Sequence, residues 1–254
     1  MKVENSVPRT FPIFGTVIRE IRHGAVSRHG GMSKAPFASN NISFGVGDVQ
    51  QNVLKNRAAI KKDFGLKSLV SAHQVHGEKL FHVDEDVPED FIADGYDALI
   101  TAEKGIGLMI GHADCQAVMM YDHDNKVVAA IHNGWRGSVV NIIRQTIKVL
   151  EEKYGTSASR LVTGVGPSLG PCCSEFINYT KELPPDLWPF QVKDNYFDFW
   201  QITRHQLLQC GVVEDAIHVS GICTSCSPDF YSYRRACRRG NGVTGRNGSL
   251  IVLI

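Results

Sequence analysis

The sequence predicts an α+β fold in which helices pack outside a mixed β-sheet core. Strand-type runs occur singly and in hairpins through most of the 254 residues, while only a few segments carry helical periodicity. The regular alternation of strand and helix that builds a parallel doubly wound sheet is missing. No repeat or low-complexity linker breaks the chain, so residues 1–254 are expected to form one domain.

In chain order, residues 28–33 (RHGGMS) and 40–43 (NNIS) are polar loop segments. A helix is expected over 49–64. Asp48 and Gln51 have capping-box spacing, Val49, Val53, Ile60 and Phe64 share a face, and Gly65 suits the left-handed stop. Residues 69–75 and 79–83 read as strands, with His76-Gly77 at their junction; Ala98–Thr101 and 106–110 read as shorter ones. The clearest helix spans 139–154, with Ser138 as its cap and Val139, Ile143, Ile147, Leu150 and Tyr154 at helical spacing. It follows the loop His132-Asn133-Gly134-Trp135-Arg136-Gly137. Free N–H groups at a helix start beside an Arg-bearing glycine loop make an anion pocket. Leu161–Val165 is an apolar strand, residues 181–185 (KELPP) mark a loop, and 200–208 form a helix ending near Gly211.

Residues 116–121 and 126–131 read as a hairpin around the turn Asp122-His123-Asp124-Asn125. If it is symmetric about the bond from His123 to Asp124, Cys115 faces His132. Opposed residues have Cβ atoms roughly 4.5–5.5 Å apart. That distance suits a shared metal ion, a thiolate–imidazole pair, or simple packing of a small Cys beside a strand-end His. His76 upstream supplies a third ligand type, and three protein ligands with one open position is the usual form of a catalytic zinc site.

Composition excludes several classes. A hydrophobic content of 43% and a charged content of 21% are ordinary for a soluble globular protein. A formal net charge of +1 predicts no bulk attraction to nucleic acid or to an anionic membrane, so any anion site must be local. No apolar run approaches a transmembrane helix and Met1-Lys2-Val3-Glu4 does not open a signal peptide, so a cytoplasmic location is expected. The seven cysteines are odd in number and scattered, and reduced thiols are expected.

Other motifs carry less. Cys223-Thr224-Ser225-Cys226 is a CxxC with no second CxxC to complete a zinc site, and it reads as two structural thiols in a tight turn; Cys172-Cys173 reads likewise. GVGPSLG (164–170) has a GxG, but Pro167 and the absent third glycine argue against dinucleotide binding. Arg234, Arg235, Arg238 and Arg239 form a run that suits a solvated face or a phosphate grip.

Seven segments are shared in matching order with one family: HQVHG (73–77), ADGYDALIT (93–101), ADC (113–115), HNGWRG (132–137), GPSLGPCC (166–173), CTSCSPDFYSYRR (223–235) and TGR (244–246). Together they resemble the YfiH family, once called polyphenol oxidases or laccases and now regarded as zinc-dependent purine nucleoside phosphorylases with adenosine deaminase and methylthioadenosine phosphorylase activities. The resemblance implies a layered α/β/β/α fold and a zinc ion on His76, Cys115 and His132, the three residues also taken as catalytic. It implies a purine nucleoside and phosphate as substrates. Motif membership makes Arg136, Arg57, Tyr233 and Arg234 candidates for phosphate or base contacts, Asn41 and Gln74 polar positioning groups, and Asp114 an orienting neighbour of the Cys ligand. His112 and Ala117 stand where the family usually has Thr and Pro, and Asn133-Gly134 where it often has Ala-Gly. These departures bear on substrate preference and leave the ligands intact. Two other readings use the same residues: a metal-free Cys-His hydrolase or amidase, which has no need of His76, and a copper polyphenol oxidase, for which the chain lacks clustered imidazoles. The oligomeric state is left open.

Overall fold

The computed structural model describes residues 10–14, 18–84, 87–88 and 90–254, so the opening Met1-Lys2-Val3-Glu4 lies outside the described residues. Strands covered on both faces need apolar residues at nearly every position. Gln116–Asp122, Val127–Asn133 and Asn247–Leu253 are buried throughout their lengths. They lie in two six-stranded sheets rather than one. The first sheet orders Thr10–Phe11 (β1), Ile21–Val26 (β2), Asn247–Leu253 (β14), Ile106–His112 (β7), Ser68–His73 (β3) and Asp90–Asp94 (β5). The second orders Ile217–Val219 (β13), Leu161–Val165 (β10), Gln116–Asp122 (β8), Val127–Asn133 (β9), Ala98–Thr101 (β6) and Leu80–His82 (β4). Both mix parallel and antiparallel pairs. Gln191–Lys193 (β11) and Tyr196–Phe197 (β12) form a small separate hairpin.

The period-2 alternation of strands builds the layers. Ala117, Met119 and Tyr121 of β8 point between the sheets, against Val70, Leu108, Ile110 and Ile251 of the first. Val118 and Met120 point outward, where helices α3 (Ile142–Tyr154) and α5 (Phe199–Gln209) cover them with Ile143, Ile147, Leu150 and Leu207. Helix α1 (Gln50–Phe64) covers the far face of the first sheet with Ile60 and Phe64. The result is the α/β/β/α layering expected of the family. Three shorter helices complete it: α2 (Trp135–Val140), α4 (Tyr179–Glu182) and α6 (Tyr233–Arg239). No helix among the described residues is long and apolar enough to cross a membrane.

Several local expectations are corrected. Helix α1 ends at Gly65 in the left-handed conformation, but the capping box does not form. Asp48 accepts hydrogen bonds from Val49 N and Asn41 Nδ2 instead, and Val49 is an exposed N-cap. The helix expected over 139–154 is two helices broken at Asn141 (φ 54°), whose side chain accepts from Arg144 N; Ser138 lies buried inside the first of them. In the hairpin, Gln116 pairs with Asn133 and Ala117 with His132, so Cys115 does not face His132. The cause is Asp122. It ends β8 and accepts from Asp124 N and Asn125 N, which displaces the turn to 123–126 with Lys126 at φ 53°.

Topology places the site. β3, β5 and β7 are mutually parallel, so their C-terminal ends share one edge of the first sheet. From that edge the chain crosses to the second sheet three times, through 74–79, 95–97 and 113–115. His76, Asp97 and Cys115 sit on those crossings. At the Asn141 break, Asn141→Ala should lower stability by about 2 kcal/mol, about half from the left-handed backbone and half from the lost cap. Asn141→Gly, which keeps the backbone conformation, should cost less. Urea unfolding with an unchanged m-value measures both.

Candidate functional site

The site is built around Asp97, which is fully buried at the entry to β6. Its carboxylate accepts from the backbone N–H groups of Val75 (3.2 Å), His76 (2.9 Å) and Gly77 (2.7 Å), and from His132 Nδ1 (2.8 Å). The three backbone bonds hold His76 in the left-handed region at φ 60°. The bond from His132 commits Nδ1–H to the carboxylate and turns Nε2 toward Cys115. Cys115 follows Asp114, itself at φ 96°, and its Sγ lies 3.8 Å from His76 Nε2. One donor atom from each of His76, Cys115 and His132 lies within 4.8 Å of the others. Gly134 makes this possible, because a Cβ there would stand 3.0 Å from Cys115 Sγ and 3.1 Å from His76 Cδ2.

Two imidazole nitrogens and one thiol sulfur are a donor set that a transition metal accepts, and bonds of 2.0 and 2.3 Å to zinc would set N and S about 3.5 Å apart. The cluster could therefore hold a metal ion. Without an ion, its electrostatics favour a thiolate–imidazolium pair, and a metal ion would have to displace the proton on His132. Burial alone would raise the Cys115 thiol, but the His132 charge and hydrogen bonds from His132 and His76 bring it down to about 6. Burial would lower His132, yet the Cys115 thiolate and the Asp97 bond push it up to about 9. For Asp97 too, burial is opposed and outweighed: the bond from His132 and the N–H groups of Gly77 and Val75 hold the carboxyl below its ordinary value.

His76, Cys115 and Tyr233 stand on the wall between two cavities. One, of about 560 Å³, is the more polar, with Arg57, Ser71, Gln74, His112 and Arg246 beside Ile42, Phe44 and Ile92 on its lining. The other, of about 540 Å³, is lined by Trp135, Leu169, Phe176, Phe199, Asn178 and Arg234. Phe176 packs edge-on to Trp135 and tilted against Phe199.

The structure treats the candidate contact residues unequally. Tyr233 is half exposed at the junction, and Arg234 lies on the aromatic cavity with its side chain on Glu175 O. Arg57 reaches the polar cavity but is 2% exposed and paired with Asp90 at 2.6 Å, so its charge is largely answered. Gln74 spends both ends of its amide on the backbone of Gly111. Asn41 is fully buried and bonded to Ser43, Asp48 and Arg246 N, away from both linings. Arg136 is exposed over the ring of its neighbour Trp135, also outside both linings, so it does not bring its charge to an anion pocket there. Asp114 orients no ligand imidazole. It accepts from Thr224 Oγ1 and Arg234 N, and Asp97 does the orienting. His112 is buried with Nε2 on Ser249 Oγ and no protein partner for Nδ1; burial first, then the His132 and Arg246 charges, push it down to about 3, so it is neutral.

Two residues were not singled out from the sequence. Asp97 lies in the segment ADGYDALIT and Arg246 in TGR, so motif membership was the available signal for both. Arg246 spends Nη1 on the carbonyls of Thr244 and Gly245 and stands near enough to the Cys115 thiolate to feel its charge.

The family described as multi-copper polyphenol oxidoreductase laccase matches residues 22–254. The chain belongs to this family. Among its laccase-like relatives, the purine nucleoside phosphorylase YlmD of Geobacillus stearothermophilus is 32% identical over 241 residues, 88% of this chain and 86% of that protein. The protein of the same name from Bacillus subtilis is 33% identical over 250 residues, 92% and 88% of the two chains. The crystal structure of the Geobacillus YlmD superposes with a TM-score of 0.83 at 29% identity, covering 95% of this chain and 98% of that one. The Bacillus licheniformis YfiH structure gives 0.84 at 25% identity, covering 92% and 93%. The expected YfiH-type family and its layered fold are thus established for this chain.

Two outcomes follow from the geometry. Asp97→Asn turns one acceptor oxygen into a donor facing N–H groups, and it should weaken metal binding by about 10- to 100-fold, read by competition with a chromophoric chelator. Because the folded Asp97 titrates below the ordinary value of about 3.9, its stabilisation is complete above that value and is lost as pH falls through the lower folded one. The variant should flatten that acid limb in pH-dependent unfolding. Gly134→Ala should likewise reduce metal content while leaving far-UV circular dichroism unchanged, since the atoms nearest the added Cβ are side-chain atoms of Cys115 and His76, which must give way at 3.0 and 3.1 Å, and not backbone.

Proposed function

We propose that this chain is a cytoplasmic, zinc-dependent purine nucleoside phosphorylase that splits adenosine, inosine, guanosine and methylthioadenosine with phosphate and also deaminates adenosine. One observation carries the reading: His76 and Cys115 of the cluster stand on the shared wall of an arginine-bearing cavity and an aromatic-lined cavity, with His132 on the side of the first. A nucleoside cleaved by phosphate needs those two environments on either side of C1′. The relatives named as purine nucleoside phosphorylases at about 30% identity support the same activity.

In phosphorolysis a phosphate oxygen bonds to C1′, the N-glycosidic bond breaks, and its electron pair leaves with the purine, through a ribosyl cation-like state. An anion held beside C1′ stabilises that state. In this reading Arg246 grips phosphate from the polar cavity, and Arg57, held by Asp90, contributes field from deeper in the wall. Trp135 and Phe176 stack the base, whose polar edge meets Asn178. Tyr233 and the backbone-anchored Arg234 close the junction over the ribose. Asp97 keeps His132 in its ligating tautomer and His76 in its strained loop. Zinc held by His76, Cys115 and His132 would supply Lewis acidity at the junction.

A second reading has its own observation. Cys115, His132 and Asp97 form a thiolate–imidazole–carboxylate chain of the kind that activates a nucleophile, as a Cys-His hydrolase or amidase requires. It gives His76 no task. A third, copper, is raised by the family's description. Two imidazoles and a thiolate suit a single copper, but among the described residues no group of metal-type ligands gathers the further imidazoles of a multi-copper centre.

Metal analysis with a nucleoside assay separates the three. Zinc-replete protein should release base from inosine and adenosine only with phosphate present, and should form ribose 1-phosphate. No base release would end the phosphorylase reading; metal-independent thiol-ester or amide hydrolysis would favour the second, and stoichiometric copper the third. Arg246→Ala should lower kcat/KM for phosphate by about 10- to 100-fold, the loss of one charge-assisted bond. Arg136→Ala should change it less than about 2-fold, because an exposed charge outside the cavities is screened by solvent.

A further inference from the structure

A second metal-type cluster lies outside the site just described. Cys172 and Cys173 sit in a turn where Cys173 N and Ser174 N both donate to Gly170 O, at 2.9 and 3.0 Å. Cys223 and Cys226 sit in another, where Cys226 N and Ser227 N donate to Cys223 O at 3.2 and 2.9 Å. Backbone bonds from Ser168 N to Ile222 O and from Thr224 N to Ser168 O lock the two turns together. The four sulfurs all lie within 4.8 Å of one another, with Cys226 Sγ 3.6 Å from both Cys172 Sγ and Cys173 Sγ. The CxxC that has no second CxxC in the sequence finds its missing pair here.

We propose that Cys172, Cys173, Cys223 and Cys226 form a closed tetrathiolate zinc site with a structural role. Four sulfurs about 2.3 Å from one zinc ion stand about 3.8 Å apart along each tetrahedral edge, close to the separations of the folded cluster. The surroundings answer the charge such a site carries. Arg238 Nη1 lies 3.8 Å from Cys173 Sγ, and Arg235 donates to the carbonyls of Thr224, Ser225 and Ser227, which shape the CxxC turn. The arginine run is thus partly a clamp on this cluster and not simply a solvated face. Two of the thiols, Cys173 and Cys223, are buried and two are exposed, so the ion has an entry path. Zinc binding exchanges one Zn²⁺ for the thiol protons with no redox step and no external reductant. With sulfur at all four corners no position is open to substrate. The ion would instead staple the loop carrying Glu175 and Phe176 to the segment that leads into Tyr233 and Arg234, two walls of the aromatic cavity.

The test removes the first centre. His76→Ala/Cys115→Ser protein, purified anaerobically from zinc-replete cells, should retain about one zinc per chain, and X-ray absorption should find only sulfur around it, four at about 2.3 Å. Cys172→Ser/Cys226→Ser should lose that zinc. Should this variant fail to fold, cobalt(II) added to metal-stripped His76→Ala/Cys115→Ser protein gives the same answer through the intense sulfur-to-cobalt charge transfer of a four-thiolate site. The inference is overturned if His76→Ala/Cys115→Ser holds no zinc, if nitrogen or oxygen ligands surround the ion, or if non-reducing peptide mapping finds a disulfide within the cluster. None of these outcomes bears on nucleoside cleavage by wild-type protein, so the two readings can fail separately.

Discussion

A single buried carboxylate assembles the centre of this protein. Asp97 Oδ1 accepts from His76 N and His132 Nδ1, and Oδ2 accepts from Val75 N and Gly77 N. A fully buried carboxylate is costly unless every acceptor position is answered. Here three of the four answers come from the backbone of the loop that carries His76, and the fourth from the other imidazole. The oxygen that sets the His132 tautomer is therefore the one that fixes the position of His76. Neither histidine can move without disturbing the other, which is how a residue of a sheet crossing and a residue of strand β9 come to share one point.

That arrangement explains why the trio was legible while its geometry was not. His76, Cys115 and His132 stood out by residue type and motif. The hairpin that was to bring Cys115 opposite His132 has another register, because Asp122 wraps the following N–H groups and moves the turn. The residues meet all the same, since Cys115 lies on a crossing between sheets rather than on the paired strand. Helix α1 and the strands Ala98–Thr101 and Leu161–Val165 followed from periodicity and composition. β2, β5 and β14 did not: Arg22 and Gly24 interrupt the first, acidic ends shorten the second, and the last is an all-buried run with no alternation.

Charge shows the same limit. Arg57, Arg136 and Arg246 are alike in sequence, yet Asp90 answers the first, solvent and Trp135 take the second, and the third lies near enough to Cys115 to feel its charge. Partners fix the worth of an arginine, and those partners come from segments 33 residues away for Arg57. The four cysteines were hidden for the same reason, since Cys172 and Cys226 are 54 positions apart.

The two clusters are joined through Asp114, whose φ of 96° costs a non-glycine residue on the order of 1–3 kcal/mol unless its surroundings hold it. They do so from both segments of the four-cysteine cluster. Leu169 N donates to Asp114 O from just before Cys172, Thr224 Oγ1 donates to Oδ1 from inside the CxxC turn, and Arg234 N donates to Oδ2 from the start of α6. Cys115 is the next residue, so the direction of its sulfur depends on a backbone angle that these three bonds impose. The backbone bonds that hold Ser168 to Ile222 and Thr224 keep residues 169 and 224 in register, and so keep the Cys115 sulfur directed at His76. The aromatic cavity, Asp114 and Cys115 are thus joined, since the bonds that fix the Asp114 angle come from Leu169 and Arg234 of that cavity and from Thr224 between Cys223 and Cys226.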